Sequence, residues 1–300
     1  MNQPLTFLFF HYGKIPRYLR NAIEQVHVFN PQAEIMLITD GIRDLSMLRS
    51  LRIRHHEMAA FPSEELEMFR RTYCHISCFK ERYERFVLER WFVTETIRRQ
   101  RPERTYIMQD SDVAVFGDAS QLIPILPDRP ICLASMNPHF TFIRGSVSRF
   151  LQFILGFYAD EALIAKSVSE YERRRKTGEI FTQGEMQFLF DYHPLKQDMV
   201  YYPTETSEGF VDVNIHLPQG CDFMKLRRRS RKKIRWVLAQ NQLIPHFLRN
   251  DIPVRAFLVH FQGPGKRVFW RFCAGSLVIK RFKCAFLNML FQNKCLANLT

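Results

Sequence analysis

Tyr106-Ile-Met-Gln-Asp-Ser-Asp-Val-Ala-Val-Phe116 is the stretch whose reading decides the fold. An apolar run, an acidic turn and a second apolar run read as a strand that ends at two carboxylates, Asp110 and Asp112, before extended structure resumes. Carboxylates at i and i+2 where a strand ends can both turn toward one divalent cation, and that cation can hold a diphosphate. Acidic residues in such turns are also ordinary solvated turn formers. A second element favours the metal reading. His260-Phe-Gln-Gly-Pro-Gly-Lys266 supplies an imidazole, a tight glycine turn and an ammonium. The three complete what a site for a cation and a diphosphate needs.

Upstream of the acidic turn, strand and helix signals alternate, the pattern of a doubly wound α/β sheet. Residues 5–10 read as a buried strand. Pro16 opens a helix carrying Leu19, Ile23, Val26 and Phe29 at helical spacing, and Asn30-Pro31 closes it. Residues 34–38 form a second strand, stopped by Thr39-Asp40-Gly41. A short helix to about residue 51, a third strand at 51–55 and a long helix at 79–99 follow.

Past the turn, residues 131–134 and 140–144 are strands and 147–165 is a single helix, while the charged stretch 167–176 runs over the surface. Thr182-Gln-Gly-Glu-Met186 opens another helix. Residues 209–215 and 255–259 are further strands, the latter delivering His260. With no internal repeat or low-complexity linker, the chain reads as one domain over 1–270 and a basic amphipathic tail over 271–300.

Three hundred residues, 46% of them hydrophobic, suffice for a full core. The net charge of +13 is unevenly spread. The first 220 residues hold 26 Lys and Arg against 28 Asp and Glu, and the last eighty hold 17 against 2. The excess around Lys225-Leu-Arg-Arg-Arg-Ser-Arg-Lys-Lys233 and the tail therefore describes a docking surface, not the body of the protein.

In residues 277–294, Val278, Ile279, Phe282, Ala285, Phe286, Met289 and Leu290 share a face, with Lys280, Arg281 and Lys283 mostly opposite. Such a helix either packs on the core or lies in the headgroup region of an anionic membrane. Residues 5–10 are too short for a leader core, and no stretch approaches 18 uninterrupted apolar residues. The expectation is a cytoplasmic protein, peripheral at most on the inner face of a membrane. Seven scattered cysteines suit a reducing compartment, and Cys74-His-Ile-Ser-Cys78 lacks the second ligand pair a structural zinc requires.

The strand-helix-strand opening, the D-S-D at 110–112 and the H-F-Q-G-P-G-K at 260–266 resemble a GT-A-fold glycosyltransferase. More narrowly, the chain resembles the retaining group that includes glycogenin and the bacterial lipopolysaccharide galactosyltransferases, with its D-x-D and H-x-x-G-x-x-K motifs. Phe86-Val-Leu-Glu-Arg-Trp-Phe92, Phe140-Thr-Phe-Ile-Arg144 and Gly184-Glu-Met186 are similar to segments of bacterial cell-surface polysaccharide glycosyltransferases.

The resemblance implies a Rossmann-like nucleotide-binding sheet flanked by helices, a UDP-sugar donor, a glycan or lipid-linked acceptor and a Mn²⁺ or Mg²⁺ ion. It implies Asp110, Asp112 and His260 as metal ligands and Lys266, with Gly263 letting the backbone approach, on the diphosphate. His11, Tyr12 and Asp40 stand where the nucleoside is met. Arg90 stands where it meets the donor phosphates or braces the carboxylates, and Glu185 where an acidic residue lies near the transferred sugar. The family more often has Asp at that last position.

Two other classes remain open on the sequence. A nucleotidyltransferase of related fold would carry a glycine- and base-rich loop after the first strand, where this chain has the short His11-Tyr-Gly-Lys-Ile-Pro16. A nucleic-acid-binding protein would interleave aromatics with the basic run, which has only Trp236 nearby.

Overall fold

The structure is a computed structural model that describes residues 4–272, apart from 43, 135–136, 196–197, 227–228 and 240–241. The first half contains β1 (Leu5–Tyr12), α1 (Arg17–Phe29), β2 (Glu34–Asp40), β3 (Arg54–Glu57), α2 (Glu64–Thr72), α3 (Glu81–Gln100), β4 (Thr105–Gln109) and β5 (Val113–Val115). Next come β6 (Ile131–Ala134), β7 (Asn137–Ile143), α4 (Ser148–Ala159), α5 (Glu161–Thr177), α6 (Glu185–Tyr192) and β8 (Met199–Tyr202). The remainder is nearly all strand: β9 (Glu205–Thr206), β10 (Gly209–Val211), β11 (Phe223–Leu226), β12 (Arg229–Lys232), β13 (Ile234–Ala239), β14 (Gln242–Arg249) and β15 (Ile252–His260). A 3-10 coil, Gly263–Phe272, follows. These elements form two compact units interleaved along the chain. One holds the chain to Ile15, Gln32–Ser111 and Ile123–Pro203; the other holds Pro16–Pro31, Asp112–Leu122 and the chain from Thr204.

The first unit is the expected Rossmann-like mixed sheet with helices. Its seven strands run β3-β2-β1-β4-β7-β6-β8. The first four are mutually parallel, and β7 is antiparallel to both β4 and β6. Seven of the eight residues of β1 are buried, which is why this strand is apolar throughout instead of alternating. Register sets Tyr12 opposite Asp40 and Phe9 opposite Gln109. The carboxyl ends of β2, β1 and β4 therefore fall on one edge and bring Asp40, Tyr12 and Asp110 there. Trp91, Phe92, Phe69, Phe150, Tyr158 and Phe188 join α2, α3, α4 and α6 to the sheet in one apolar core.

In the second unit β13-β14-β15-β10-β9 form a sheet in which β5 also pairs with β15. That pairing is antiparallel and puts Val113 opposite His260. Helix α1 is tied to the chain after β5 by Asn30, whose amide donates to the Gly117 carbonyl at 3.2 Å and accepts from Ala119 N at 2.7 Å.

Several elements depart from the sequence reading. The single helix expected over 147–165 is two. Asp160 ends α4 and caps α5, its carboxylate accepting from Ala162 N and Leu163 N. The charged stretch 167–176 does run over the surface, as the end of an α5 that buries no residue and stops at Gly178 in the left-handed region; only its helical form was unread. The short helix before residue 51 is only a 3-10 turn, Ser46–Leu48, and the third strand is Arg54–Glu57. Helix α2 carried an unread signature, with Ser63 accepting from Leu66 N ahead of Glu64, Glu65 and Glu67 and with Arg70 and Arg71 at its end.

The basic run is not wholly a surface. Lys232 is fully buried, because strand alternation points it inward onto Asp212. Residues 277–294 of the expected amphipathic helix lie outside the described residues, as does nearly all of the 271–300 tail. Among the described residues no helix is long and apolar enough to cross a membrane.

Candidate functional site

In the first unit, the edge formed by β2, β1 and β4 carries two polar groups of residues. Arg82, on α3, donates to Asp40 Oδ2 at 3.1 Å, and its guanidinium sits 4.9 Å from the centre of the Tyr12 ring. Tyr12 also packs on Phe86 at 5.8 Å. His11 is buried beside them, one ring nitrogen 3.1 Å from the Lys14 carbonyl. Open parallel sheets bind nucleotides at such carboxyl ends. Arg82 went unremarked in the sequence, because only the β2 and β1 ends beside it show that it meets Asp40 and Tyr12.

The second group is buried. Arg90 forks onto Glu185, Nε to Oε1 at 2.8 Å and Nη2 to Oε2 at 2.6 Å, and its Nη1 donates to Asp110 Oδ1 at 2.7 Å. The Trp91 indole N–H donates to Glu185 Oε1 as well. Both Arg90 and Glu185 are buried, whereas the Asp110 side chain is 30% exposed. Burial opposes the charge of Arg90, but the carboxylates of Glu185 and Asp110 more than offset it and raise its pKa further above the ordinary range. Glu185 opens α6 directly after Gly184, where a Cβ would lie 2.3 Å from a Glu84 oxygen. A side chain there would oblige the Glu84 carboxylate to move aside.

In the second unit, the pairing of β5 with β15 brings Asp112 to His260 and Lys266. Asp112 Oδ1 lies 3.6 Å from His260 Nε2, and Oδ2 lies 3.0 Å from the Lys266 ammonium. The Asp112 carbonyl accepts from Phe261 N at 2.9 Å, which fixes the turn after β15 against the acidic residue. Burial would raise the Asp112 carboxyl, but His260 and the Lys266 ammonium hold it well below the usual carboxylate range.

His260 is itself oriented. Its Nδ1 is 2.6 Å from the Val213 carbonyl and its backbone N–H donates to Asp212 Oδ2 at 3.0 Å. Lys266 reaches Asp112 over α1, its ammonium 5.2 Å from the Tyr18 ring centre. Gly263 has φ +56, a left-handed conformation that favours glycine, with open space where a Cβ would be. Gly265 is the crowded one, 3.1 Å from Ile215. Asp212, deep in the core behind His260, was missed because a lone Asp in an apolar strand gives no motif.

No protein-family profile matches the chain. No curated protein matches it. Solved structures that match part of the chain include glycosyltransferases of low identity. Mouse xyloside xylosyltransferase 1 is 12% identical over 67% of this chain and 84% of its own, with a TM-score of 0.44. The galactosyltransferase LgtC is 13% identical over 67% of this chain and 74% of its own, at 0.37. GlyE of Streptococcus pneumoniae is 13% identical over 67% of this chain, at 0.33; the alignment spans 45% of that longer protein.

Proposed function

We propose that this chain is a metal-dependent glycosyltransferase that moves a hexose from a UDP-sugar to a saccharide or lipid-linked acceptor. We assign it to cell-surface polysaccharide or lipopolysaccharide synthesis, with retention of anomeric configuration. The observation that carries the reading is the meeting of Asp112 with His260 and Lys266, residues of two motifs remote in sequence, where the start of β5 pairs with the end of β15.

The residues fit a divalent cation. The Val213 carbonyl occupies His260 Nδ1, so Nε2 is the nitrogen left to face a buried carboxylate oxygen. Their 3.6 Å separation is too long for a hydrogen bond and suits two ligands of one ion. Asp110 follows through Ser111 alone, and two residues of chain span at most about 7 Å. We therefore assign Asp110, Asp112 and His260 as the ligand set. Two carboxylates with an imidazole favour Mn²⁺ over Mg²⁺. When bound, the cation supplies Lewis-acid stabilisation of the departing diphosphate.

The chain's own groups do the rest. Lys266 would leave Asp112 for a diphosphate oxygen, where its ammonium counts most as leaving-group charge develops. Gly263 would let the backbone approach that group, and Tyr12 with Asp40 would meet the nucleoside. Both oxygens of Glu185 are engaged by Arg90, so in this reading Glu185 is a positioning residue that sets Arg90, and through it Asp110.

The test is a thermal-shift and hydrolysis screen of UDP-, GDP-, CMP- and dTDP-sugars with and without Mn²⁺. Stabilisation by the uridine compounds only when metal is present supports the reading, and indifference to all four overturns it. We further propose that residues 277–294 bring the enzyme to an anionic membrane surface. Sedimentation with anionic vesicles that weakens as salt rises is the expected result, and no binding at low salt contradicts it.

A further inference from the structure

Lys232 ends β12 inside the basic run, yet its side chain and that of Asp212 are both fully buried. Each proton of its ammonium has an acceptor: Asp212 Oδ1, the Asn214 carbonyl at 2.7 Å and Gln219 Oε1 at 2.8 Å. The same Gln219 oxygen accepts from Val213 N at 3.2 Å, and the second oxygen of Asp212 accepts from His260 N. Lys232 N donates to the Ile215 carbonyl and Ile215 N to the His260 carbonyl, both at 3.0 Å. The rings of Phe247 and Phe210, centred 5.4 and 5.8 Å from the ammonium, close the remaining sides. Residues 212–215 are thus tied to Lys232, Gln219 or His260 at every position.

We propose that the Asp212–Lys232 pair is a positioning device for His260: it fixes the Val213 carbonyl, and through that carbonyl the ring orientation and tautomer of the histidine. A carbonyl oxygen has no proton to give, so the 2.6 Å contact requires the hydrogen on Nδ1 and leaves Nε2 facing Asp112. A buried ion pair is a poor source of net stability, because desolvating two charges cancels most of their attraction. Its use here is conformational. A histidine that binds a metal works best when a fixed partner on its other nitrogen selects the tautomer. The consequence for metal binding rests on the ligand assignment above, whereas the tautomer does not.

The test uses the full chain labelled with ¹⁵N-histidine at pH 8.5, with long-range ¹H–¹⁵N correlation and His260→Gln to assign the ring. Wild type should show a protonated Nδ1 and an unprotonated Nε2 at His260. In Lys232→Met with Asp212→Asn, which removes both charges at similar volume, the two nitrogens should move to averaged shifts. Mn²⁺ affinity in the presence of UDP, read by electron paramagnetic resonance, should fall about tenfold.

If that pair of substitutions prevents folding, Gln219→Leu should give the same averaging, since it removes an acceptor of Lys232 and the partner of Val213 N. Folded variants that keep the wild-type His260 shifts, or a wild type protonated at Nε2, overturn the proposal. If the shifts move as expected but wild type binds no Mn²⁺, the metal reading falls while the positioning role stands.

Discussion

Asp110 and Asp112 are separated by one serine, yet they are held by regions built in different ways. Asp110 is gripped in the first unit by Arg90, a buried guanidinium that cannot lose its charge and is itself locked by the two oxygens of Glu185. Asp112 is held in the second unit by the Lys266 ammonium, partly exposed on a flexible stem, and faces a His260 ring nitrogen 3.6 Å away, beyond hydrogen-bond distance. The two carboxylates are thus held differently. A permanent buried partner makes a frame that keeps one in place, and an exchangeable partner would leave the other available to a cation under the proposed function. Helix α6 belongs to the frame, and the turn after β15 to the exchangeable side.

The largest effect expected falls on the frame. Arg90→Met leaves Glu185 as an uncompensated buried carboxylate and should cost about 3–5 kcal/mol of stability in urea unfolding. Replacing Glu185 by Leu in the same chain should return most of it. A loss under about 1 kcal/mol for the single variant would break the comparison, because Arg90 would then be dispensable to the frame.

On the exchangeable side, Lys266→Ala should barely change the melting temperature, and it should lower kcat about a hundredfold with a much smaller change in donor KM. An unchanged kcat with a raised KM would make Lys266 an ordinary binding residue and blur the contrast.

The smallest effect concerns acid. Burial opposes ionisation of Glu95, on the same helix as Arg90, but Arg98 and the Val147 N–H prevail and hold its carboxyl down at about 2. A carboxyl lowered on folding contributes stability that is present above its ordinary value of 4.5 and is lost as pH falls from there toward 2. Glu95→Gln should flatten the stability profile of the frame across that window, and an unaltered slope would assign the acid sensitivity elsewhere.

Much of this was legible in the sequence because β1, β2 and β4 are short apolar runs bounded by Pro, Gly or Asp, and because the two motifs announce their own chemistry. The first sheet, the acidic turn at Asp110 and Asp112 and the delivery of His260 by an apolar strand follow from such local signals. What was illegible is non-local. The inward turn of Lys232 depends on which side of β12 faces Asp212, and a run of basic residues hides a two-residue period. The resemblance singled out Arg90 and Glu185 separately, but the fork between them joins positions far apart in the chain, and no local signal pairs them until α6 is placed against α3. The break at Asp160 was readable in principle. An Asp followed two and three residues later by backbone N–H groups in search of acceptors is an ordinary helix start, overlooked because apolar residues continue on both sides of it.

The central claim is that Asp112 and its partners hold a cation that in turn holds a nucleoside diphosphate. Calorimetric titration of UDP into wild type and into Asp112→Ala, each with Mn²⁺ and with EDTA, tests it most directly. The account predicts binding by wild type with Mn²⁺, a loss of at least about a hundredfold in EDTA and in Asp112→Ala alike, and circular dichroism unchanged by the substitution. UDP affinity indifferent both to EDTA and to the loss of Asp112 would contradict it.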